Sequence, residues 1–175
     1  MSRFIFLVKN VLLYLLLLIV GLYAGMHFFH EMCPVETQLT PLEYGRYWKI
    51  VDGTFMHSRM GVMGPLMIGL FGLNLALHLK NWKSLTFLLL MVSFVFFGLD
   101  VAFTVKKQLP INTYINQLDL QNMTPNDLTE LARVQTIAIA NFQNRLVLAL
   151  ASFATLCIIP FSKISANNKE VTIPK

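Results

Sequence analysis

The sequence reads LTFLLLMVSFVFFGLDVAFTV at residues 85–105, a run with a single charged side chain, Asp100. About 20 mainly apolar residues are enough for one helix to cross a membrane, because the hydrocarbon core is about 30 Å thick. A lone carboxylate at such a depth costs roughly 2.5–3.5 kcal/mol. We therefore expect this run to span a membrane and Asp100 to find a partner on another helix.

Three further apolar runs meet the same length criterion, at about residues 4–29, 60–79 and 134–161. The composition of the whole chain agrees, since 55% of its 175 residues are hydrophobic and 13% are charged. Soluble domains carry about 25% charged residues. The sequence therefore predicts one all-α membrane domain over residues 1–175, a bundle of four transmembrane helices in a lipid bilayer.

Basic residues predict how the four spans are oriented. They occur at the start of the first span, between the second and third, and after the fourth: Arg3, Lys9, Lys80, Lys83, Lys163, Lys169 and Lys175. Such residues favour the cytoplasmic side of a membrane. We expect a multi-pass protein of the cell membrane with both termini in the cytoplasm, and we interpret the net charge of +5 as an orientation signal rather than a nucleic-acid site.

Two outer connections carry helix-start signals. The segment TPLE at residues 40–43 has a capping hydroxyl, a proline at the first helical position and a glutamate at the third. Aromatic and apolar residues follow at helical spacing: Tyr44, Tyr47, Trp48 and Val51. They predict a short amphipathic interfacial helix at about residues 41–52, over the mouth of the bundle. TPND at residues 124–127 repeats the signal, so the fourth helix should begin outside the membrane near residue 125.

Three histidines are the first candidate site residues. His27 and His30 share one face of the first span, and His57 enters the second span from the same side. Imidazoles so placed can bind a metal or a haem iron, or relay protons. The alternative is that they face water at the membrane interface. We take all three as candidate metal and cofactor ligands, and His57 also as a candidate catalytic residue.

Asp100 and Arg145 are the second set of candidates. The third span runs outward and the fourth inward, so both side chains should lie in the outer half of the bundle and pair. Asn141 and Asn144 share a helix face with Arg145 and should look inward, because lipid cannot satisfy amides. We take Asp100 and Arg145 as candidate catalytic residues, and Arg145, Asn141 and Asn144 as candidate cofactor ligands. In the alternative interpretation, these groups only hold the helices together.

Glycines and methionines also follow helical spacing. Gly21 and Gly25 in the first span should allow close helix packing, as should four glycines of the second span: Gly61, Gly64, Gly69 and Gly72. A methionine series accompanies them: Met56, Met60, Met63 and Met67. Thioethers suit Cu(I), but methionine is also a common adaptable core residue.

Short motifs in a fixed order carry a family resemblance. MCP at residues 32–34, LPINTYIN at 109–116 and NFQNR at 141–145 resemble the DUF1772 family of anthrone-oxygenase-like membrane proteins. The similarity extends from about residue 21 to 159. It implies a compact four-helix membrane bundle, some relatives of which oxygenate polycyclic phenolic anthrones. The implied signature positions are Pro110, Asn112, Asn116, Asn144 and Arg145, which adds Asn112 and Asn116 to the cofactor-binding candidates.

These observations give one leading function and two alternatives. The leading hypothesis is a small membrane oxidoreductase or oxygenase-like protein with an outward-facing polar pocket and a lipophilic or aromatic substrate. Haem b is its first candidate cofactor, copper is another, and a cofactor-free protein is a third case. The alternatives are a non-enzymatic carrier of haem, copper or a lipophilic ligand, and a structural membrane subunit. A bundle this small has much lipid-facing surface, which also favours homo-oligomers.

Overall fold

The computed structural model of the chain describes residues 3–54 and 61–171, with side chains as far as residue 161. Within these ranges the regular structure is helical throughout and no strand occurs. The helices are α1 (Arg3–Met32), α2 (Pro41–Val51), α3 (Gly61–His78), α4 (Leu85–Phe103), α5 (Leu109–Gln117) and α6 (Pro125–Val171). Short 3-10 turns at Val35–Thr37 and Leu79–Asn81 and a π-helical turn at Thr104–Gln108 connect some of them.

Four helical segments are long and apolar enough to cross a membrane. They are Arg3–Thr37, Gly61–Asn81, Leu85–Gln117 and Pro125–Phe161. The prediction of an all-helical chain with four such helices is therefore confirmed. The third segment is longer than predicted, because the chain stays helical beyond residue 105.

The π-helical turn explains how helical structure continues from α4 into α5. Pro110 lies in the first turn of α5, where a backbone N–H has no partner within the helix and its loss costs little. The Oγ1 of Thr104 donates to the carbonyl oxygen of Asp100 at 2.8 Å. The widened turn places Gln108 inward, with 1% of its surface exposed. Such π-turns are rare and frequently lie at functional sites.

Helix α6 is the centre of the packing. It packs against α4 and α1, while α3 packs against α1 and α4. The larger apolar core lies among these helices and includes Leu16, Phe71 and Leu90, all fully buried. Burial of apolar side chains between helices therefore fixes the depth at which polar residues of α1, α4 and α6 meet.

A second apolar core lies under α2. Thr40 caps this helix and forms a reciprocal capping box with Glu43. Tyr44 and Trp48 are fully buried, with Ile115 of α5 and Leu131 of α6 in the same cluster. Tyr44 and Trp48 of the aromatic face that we expected at the membrane interface are thus packed against protein, because side chains of α5 and α6 cover them.

Only one of the predicted glycine contacts is tight. A Cβ atom on Gly21 would lie 2.9 Å from Cε2 of Phe153 on α6. On Gly25, a Cβ would meet no atom of the described residues within 4 Å, and the same holds for four glycines of α3: Gly61, Gly64, Gly69 and Gly72. Among the residues that the structure describes, the close packing expected at these five glycines is therefore not present.

Candidate functional site

Three buried polar side chains from three helices form one hydrogen-bonded cluster. Arg145 of α6 donates from Nε to Oδ1 of Asp100 on α4 at 2.8 Å, and from Nη2 to the hydroxyl of Tyr23 on α1 at 3.0 Å. The Tyr23 hydroxyl donates to the other oxygen of Asp100. Exposed fractions of 0–4% show that bulk water does not reach these groups. The predicted pair of Asp100 and Arg145 is present, and we call the three residues the buried triad.

Sequence reasoning missed the tyrosine of the buried triad. Tyr23 lies in an apolar run, where a tyrosine normally indicates packing or an interfacial position. A usable signal was its spacing, since it lies four residues before His27 and therefore on the same face of α1. Its hydroxyl accepts from Arg145 and donates to Asp100, so it links both charges to α1.

A cavity of about 170 Å³ adjoins the buried triad. Apolar side chains of α3 and α4 form part of its wall, including Met67, Phe97 and Val101. Polar groups line other parts of it: Tyr23, Arg145, Gln108 and Asn112. An engineered cavity of about 150 Å³ holds benzene. This cavity, which we call the chamber, therefore has room for about one aromatic ring.

A network of hydrogen-bonded side chains extends from the chamber to Asp52 at the end of α2. Gln108 donates to Oδ1 of Asn112 at 2.9 Å and accepts from Asn141 at 3.3 Å. Asp52, at the end of α2, accepts from Asn112 at 3.4 Å and from Asn116 at 2.5 Å. The network thus joins three predicted site residues through Gln108 and Asp52, two residues that sequence reasoning did not select.

Asn144 does not belong to this site. Its side chain is exposed, whereas Asn141 and Arg145 are buried. Successive residues of an α-helix are rotated by about 100° around the helix axis, so Asn144 and its neighbour Arg145 point in different directions. The expectation that Asn144 faces inward is wrong, because the buried face of α6 is narrower than the helix face that Asn141, Asn144 and Arg145 share.

The two candidate histidines that the structure describes, His27 and His30, lie in different surroundings. His27 is buried, and its Nε2 has no hydrogen-bond partner among the described residues. Its ring meets that of Tyr23 edge to face, with the centroids 4.8 Å apart. His30 is partly exposed, stacks on Phe142 with the centroids 4.7 Å apart, and places Nε2 at 3.2 Å from Oε1 of Glu36.

The Glu36 carboxylate also acts on Tyr47 of α2. Burial of the Tyr47 hydroxyl and the negative charge of Glu36 together raise the pKa of this tyrosine.

The histidines line a second cavity, of about 140 Å³. His27, His30, Glu36 and Phe142 contribute to its wall. It shares no lining residue with the chamber. Among the described residues, the histidines and Arg145 therefore line separate cavities and not one polar pocket. The Tyr23 side chain, which contacts His27 and bonds Arg145, lies between the two sets of groups.

The described residues give no support for haem b or copper as a cofactor. Among residues 3–54 and 61–161, no group of three His, Cys, Asp or Glu side chains could hold a metal ion. A porphyrin is also far larger than the 140 Å³ cavity beside the free Nε2 of His27. The third predicted ligand, His57, lies outside the described residues, as do Met56 and Met60 of the methionine series.

The arrangement can recognise an oxygen atom on an otherwise apolar molecule. A guanidinium carries five N–H groups, and Arg145 uses two of them within the buried triad. Arg145 also lines the chamber, where water exclusion strengthens a hydrogen bond to a charged donor.

Comparisons of the chain with known protein families, with curated proteins and with solved structures found no match.

Proposed function

We propose that this chain is a small membrane oxidoreductase of the oxygenase-like type, which binds a lipophilic aromatic molecule in the chamber beside the buried triad. The observation that carries the proposal is the chamber itself, an apolar space of about 170 Å³ that contacts a buried guanidinium. The resemblance to the DUF1772 family supports oxygenation as the reaction. It also supports a compact bundle of the four spanning helices.

Each part of the site has a role in this proposal. Arg145 would hold a phenolate or enolate oxygen and stabilise negative charge that develops there. Asp100 and Tyr23 would fix the orientation of the guanidinium. Phe97 and Met67 would contact the ring, and a larger ring system would extend past Val105, which is 56% exposed at the rim.

The proposed reaction converts an activated CH₂ group into a carbonyl. One O₂ is consumed, one oxygen atom enters the product, and the other leaves as water with the two hydrogens of the CH₂ group. Loss of the first proton produces an enolate, whose oxygen is the group that Arg145 would bind. Stabilising this anion lowers the barrier to proton loss because the donor is already in place.

A structural membrane subunit is the second candidate function. It is favoured by the hydrogen bonds within the buried triad, in which both carboxylate oxygens of Asp100 are engaged by Arg145 and Tyr23. Such a cluster ties α1, α4 and α6 together whether or not a ligand enters the chamber.

Oxygen uptake with an anthrone as substrate tests the proposal. We expect the purified protein in mild detergent to consume one O₂ for each ketone formed. Arg145→Lys keeps the charge beside Asp100 but loses the forked donors, so the rate should fall on the order of 100-fold. Arg133→Lys is the matched control, since Arg133 is an exposed arginine of the same helix that pairs with Glu130. An inactive wild-type protein, or equal rates in all three proteins, contradicts the proposed reaction.

We also propose that both termini lie in the cytoplasm and that α2 lies at the outer surface. The basic residues that flank the spans support this orientation. Cys33, an exposed thiol just after α1, allows a direct test. In a Cys157→Ser background, a membrane-impermeant maleimide should label Cys33 in intact cells. Labelling only after the membrane is permeabilised would reverse the orientation.

A further inference from the structure

The second cavity, of about 140 Å³, is a binding site separate from the chamber, and we call it the histidine cavity. Two of the side chains that line it, His27 and Glu36, are each 3% exposed. Other lining residues are exposed: Glu31, Thr37 and Gln143. A ligand can therefore enter from the protein surface and reach polar groups that are buried.

Two buried polar atoms in the wall of the histidine cavity have no hydrogen-bond partner among the described residues. They are Nε2 of His27 and Oε1 of Glu36. The Glu36 oxygen lies 3.2 Å from Nε2 of His30, but this contact does not have the geometry of a hydrogen bond. Buried polar groups are normally hydrogen-bonded, so two such atoms in one small cavity indicate a ligand that supplies the missing partners.

The charges around the histidine cavity favour a cation. The described wall contains the carboxylates of Glu31 and Glu36 but no lysine or arginine. The imidazole of His30 offsets the charge of Glu36 only when it is protonated. An ionised carboxylate accepts hydrogen bonds and cannot donate them, and its burial is costly unless a cation pairs with it. The ligand should therefore carry a positive charge and hydrogen-bond donors.

The remaining wall suits an organic cation of small size. Among residues 3–54 and 61–161, no group of three His, Cys, Asp or Glu side chains could hold a metal ion. A primary ammonium has three N–H groups, and each can bind a separate acceptor. Pro34, Ile139 and Phe142 form an apolar part of the wall. Since a cavity of about 150 Å³ holds benzene, the histidine cavity has room for a short hydrocarbon chain beside the ammonium.

We infer that the histidine cavity binds the primary ammonium group of a small molecule, either a free alkylamine or the ethanolamine headgroup of a lipid. Glu36 supplies the counter-charge and accepts an N–H. In a cavity of this size, a ligand that fills the space also meets Nε2 of His27, the second free acceptor. The histidine cavity shares no lining residue with the chamber, so this binding is independent of the proposed function.

Binding of three probes to the full-length protein in mild detergent tests the inference. The probes are n-butylamine, 1-butanol and tetramethylammonium, which all have the same number of non-hydrogen atoms. At neutral pH the amine is charged, because its pKa is close to that of lysine, about 10.4. Isothermal titration should show butylamine binding about tenfold more tightly than 1-butanol, which lacks the charge, and than tetramethylammonium, which lacks N–H donors.

Two variants locate the bound ammonium. Glu36→Gln keeps the shape of the side chain but removes its charge, so butylamine affinity should fall about tenfold or more. His27→Leu removes the second acceptor and should lower the affinity about threefold or more. Glu130→Gln is the matched control, since Glu130 is an exposed glutamate that does not line the cavity, and it should leave the affinity unchanged.

The wild-type measurements alone can overturn the ammonium site. It is wrong if 1-butanol or tetramethylammonium binds as tightly as butylamine, or if butylamine does not bind. Unchanged butylamine affinity in Glu36→Gln or in His27→Leu also overturns it. Each of these results leaves the proposed function standing, because oxygen uptake depends on the chamber.

Nanodiscs distinguish the two sources of the ammonium group. Butylamine affinity is measured in discs of phosphatidylcholine alone and in discs that also contain phosphatidylethanolamine. A lower apparent affinity in the second kind of disc identifies the lipid headgroup as the occupant, because it competes with the probe. Equal affinity in the two kinds of disc identifies a free amine as the ligand.

Discussion

Gln135 of α6 holds the backbone of Glu36 in place, donating from Nε2 to the Glu36 carbonyl oxygen at 2.7 Å. The same nitrogen donates to the carbonyl of Leu39 at 3.0 Å. The loop between α1 and α2 is therefore fixed to α6 by a buried side chain. This attachment also fixes the Glu36 carboxylate next to His30, and so shapes the histidine cavity.

Replacing Gln135 with leucine should destabilise the protein by roughly 1–3 kcal/mol, because one buried and one partly buried carbonyl group lose their donor. Unfolding in mixed detergent micelles measures this loss. Hydrogen exchange at residues 35–40 should also become faster. Thr136→Ala, at the exposed neighbouring position, is the control and should change stability by no more than about 0.5 kcal/mol. Equal stability of the two variants would mean that the loop is held by other contacts.

Asp100→Asn should cost roughly 3 kcal/mol or more of stability, because it leaves the buried guanidinium of Arg145 without a counter-charge. The same unfolding measurement applies. Glu130→Gln is the matched control, since it removes the carboxylate of an exposed ion pair with Arg133 and should change stability far less than Asp100→Asn does. A small effect of Asp100→Asn would show that water or another group compensates the arginine.

The spans and the central ion pair were predictable because both follow from local sequence and membrane physics. Hydropathy over about 20 residues identifies a span without knowledge of its neighbours. A carboxylate in such a run needs a partner, and alternating helix directions bring Arg145 to the depth of Asp100. These two steps need no side-chain geometry, and the structure agrees with both.

The rest of the site depends on geometry that the sequence pattern does not contain. Gln108 faces the chamber because of a π-helical turn, which no simple periodicity predicts. Asp52 joins the amide network only because α2 packs on α5 and α6. Asn144 was misplaced because helical spacing defines a face but does not give the width that neighbouring helices cover. The side chain of Tyr23 lies between His27 and Arg145, and the sequence pattern does not give the position of that ring.

Gly21→Val should destabilise the protein by roughly 1–3 kcal/mol, because the added atoms overlap Phe153 and force α1 and α6 apart. Gly25→Val, one turn further along α1, is the matched control, since a Cβ there meets no described atom within 4 Å. The difference in unfolding free energy between the two variants isolates the packing effect from the change in helix propensity. If both variants are equally stable, the ring of Phe153 moves aside without cost.

Tyr44 makes stability depend on alkaline pH. Its side chain is fully buried, its hydroxyl has no hydrogen-bond partner in the described part of the chain, and burial raises its pKa above the ordinary value of 10.0. The unfolded chain therefore loses this proton at a lower pH than the folded protein does. Stability is complete below about pH 10 and falls as the pH rises further, by up to about 1.4 kcal/mol per pH unit for one such group.

Tyr44→Phe should reduce this alkaline loss and raise stability at neutral pH by roughly 1 kcal/mol, because it removes a buried hydroxyl without a partner. The measurement is the free energy of unfolding between pH 7 and pH 11. Tyr14→Phe is the control, since it makes the same substitution at a tyrosine that is 58% exposed in the structure. A neutral-pH destabilisation in Tyr44→Phe would mean that the hydroxyl has a partner, such as a bound water, and the sign of the effect decides between the two cases.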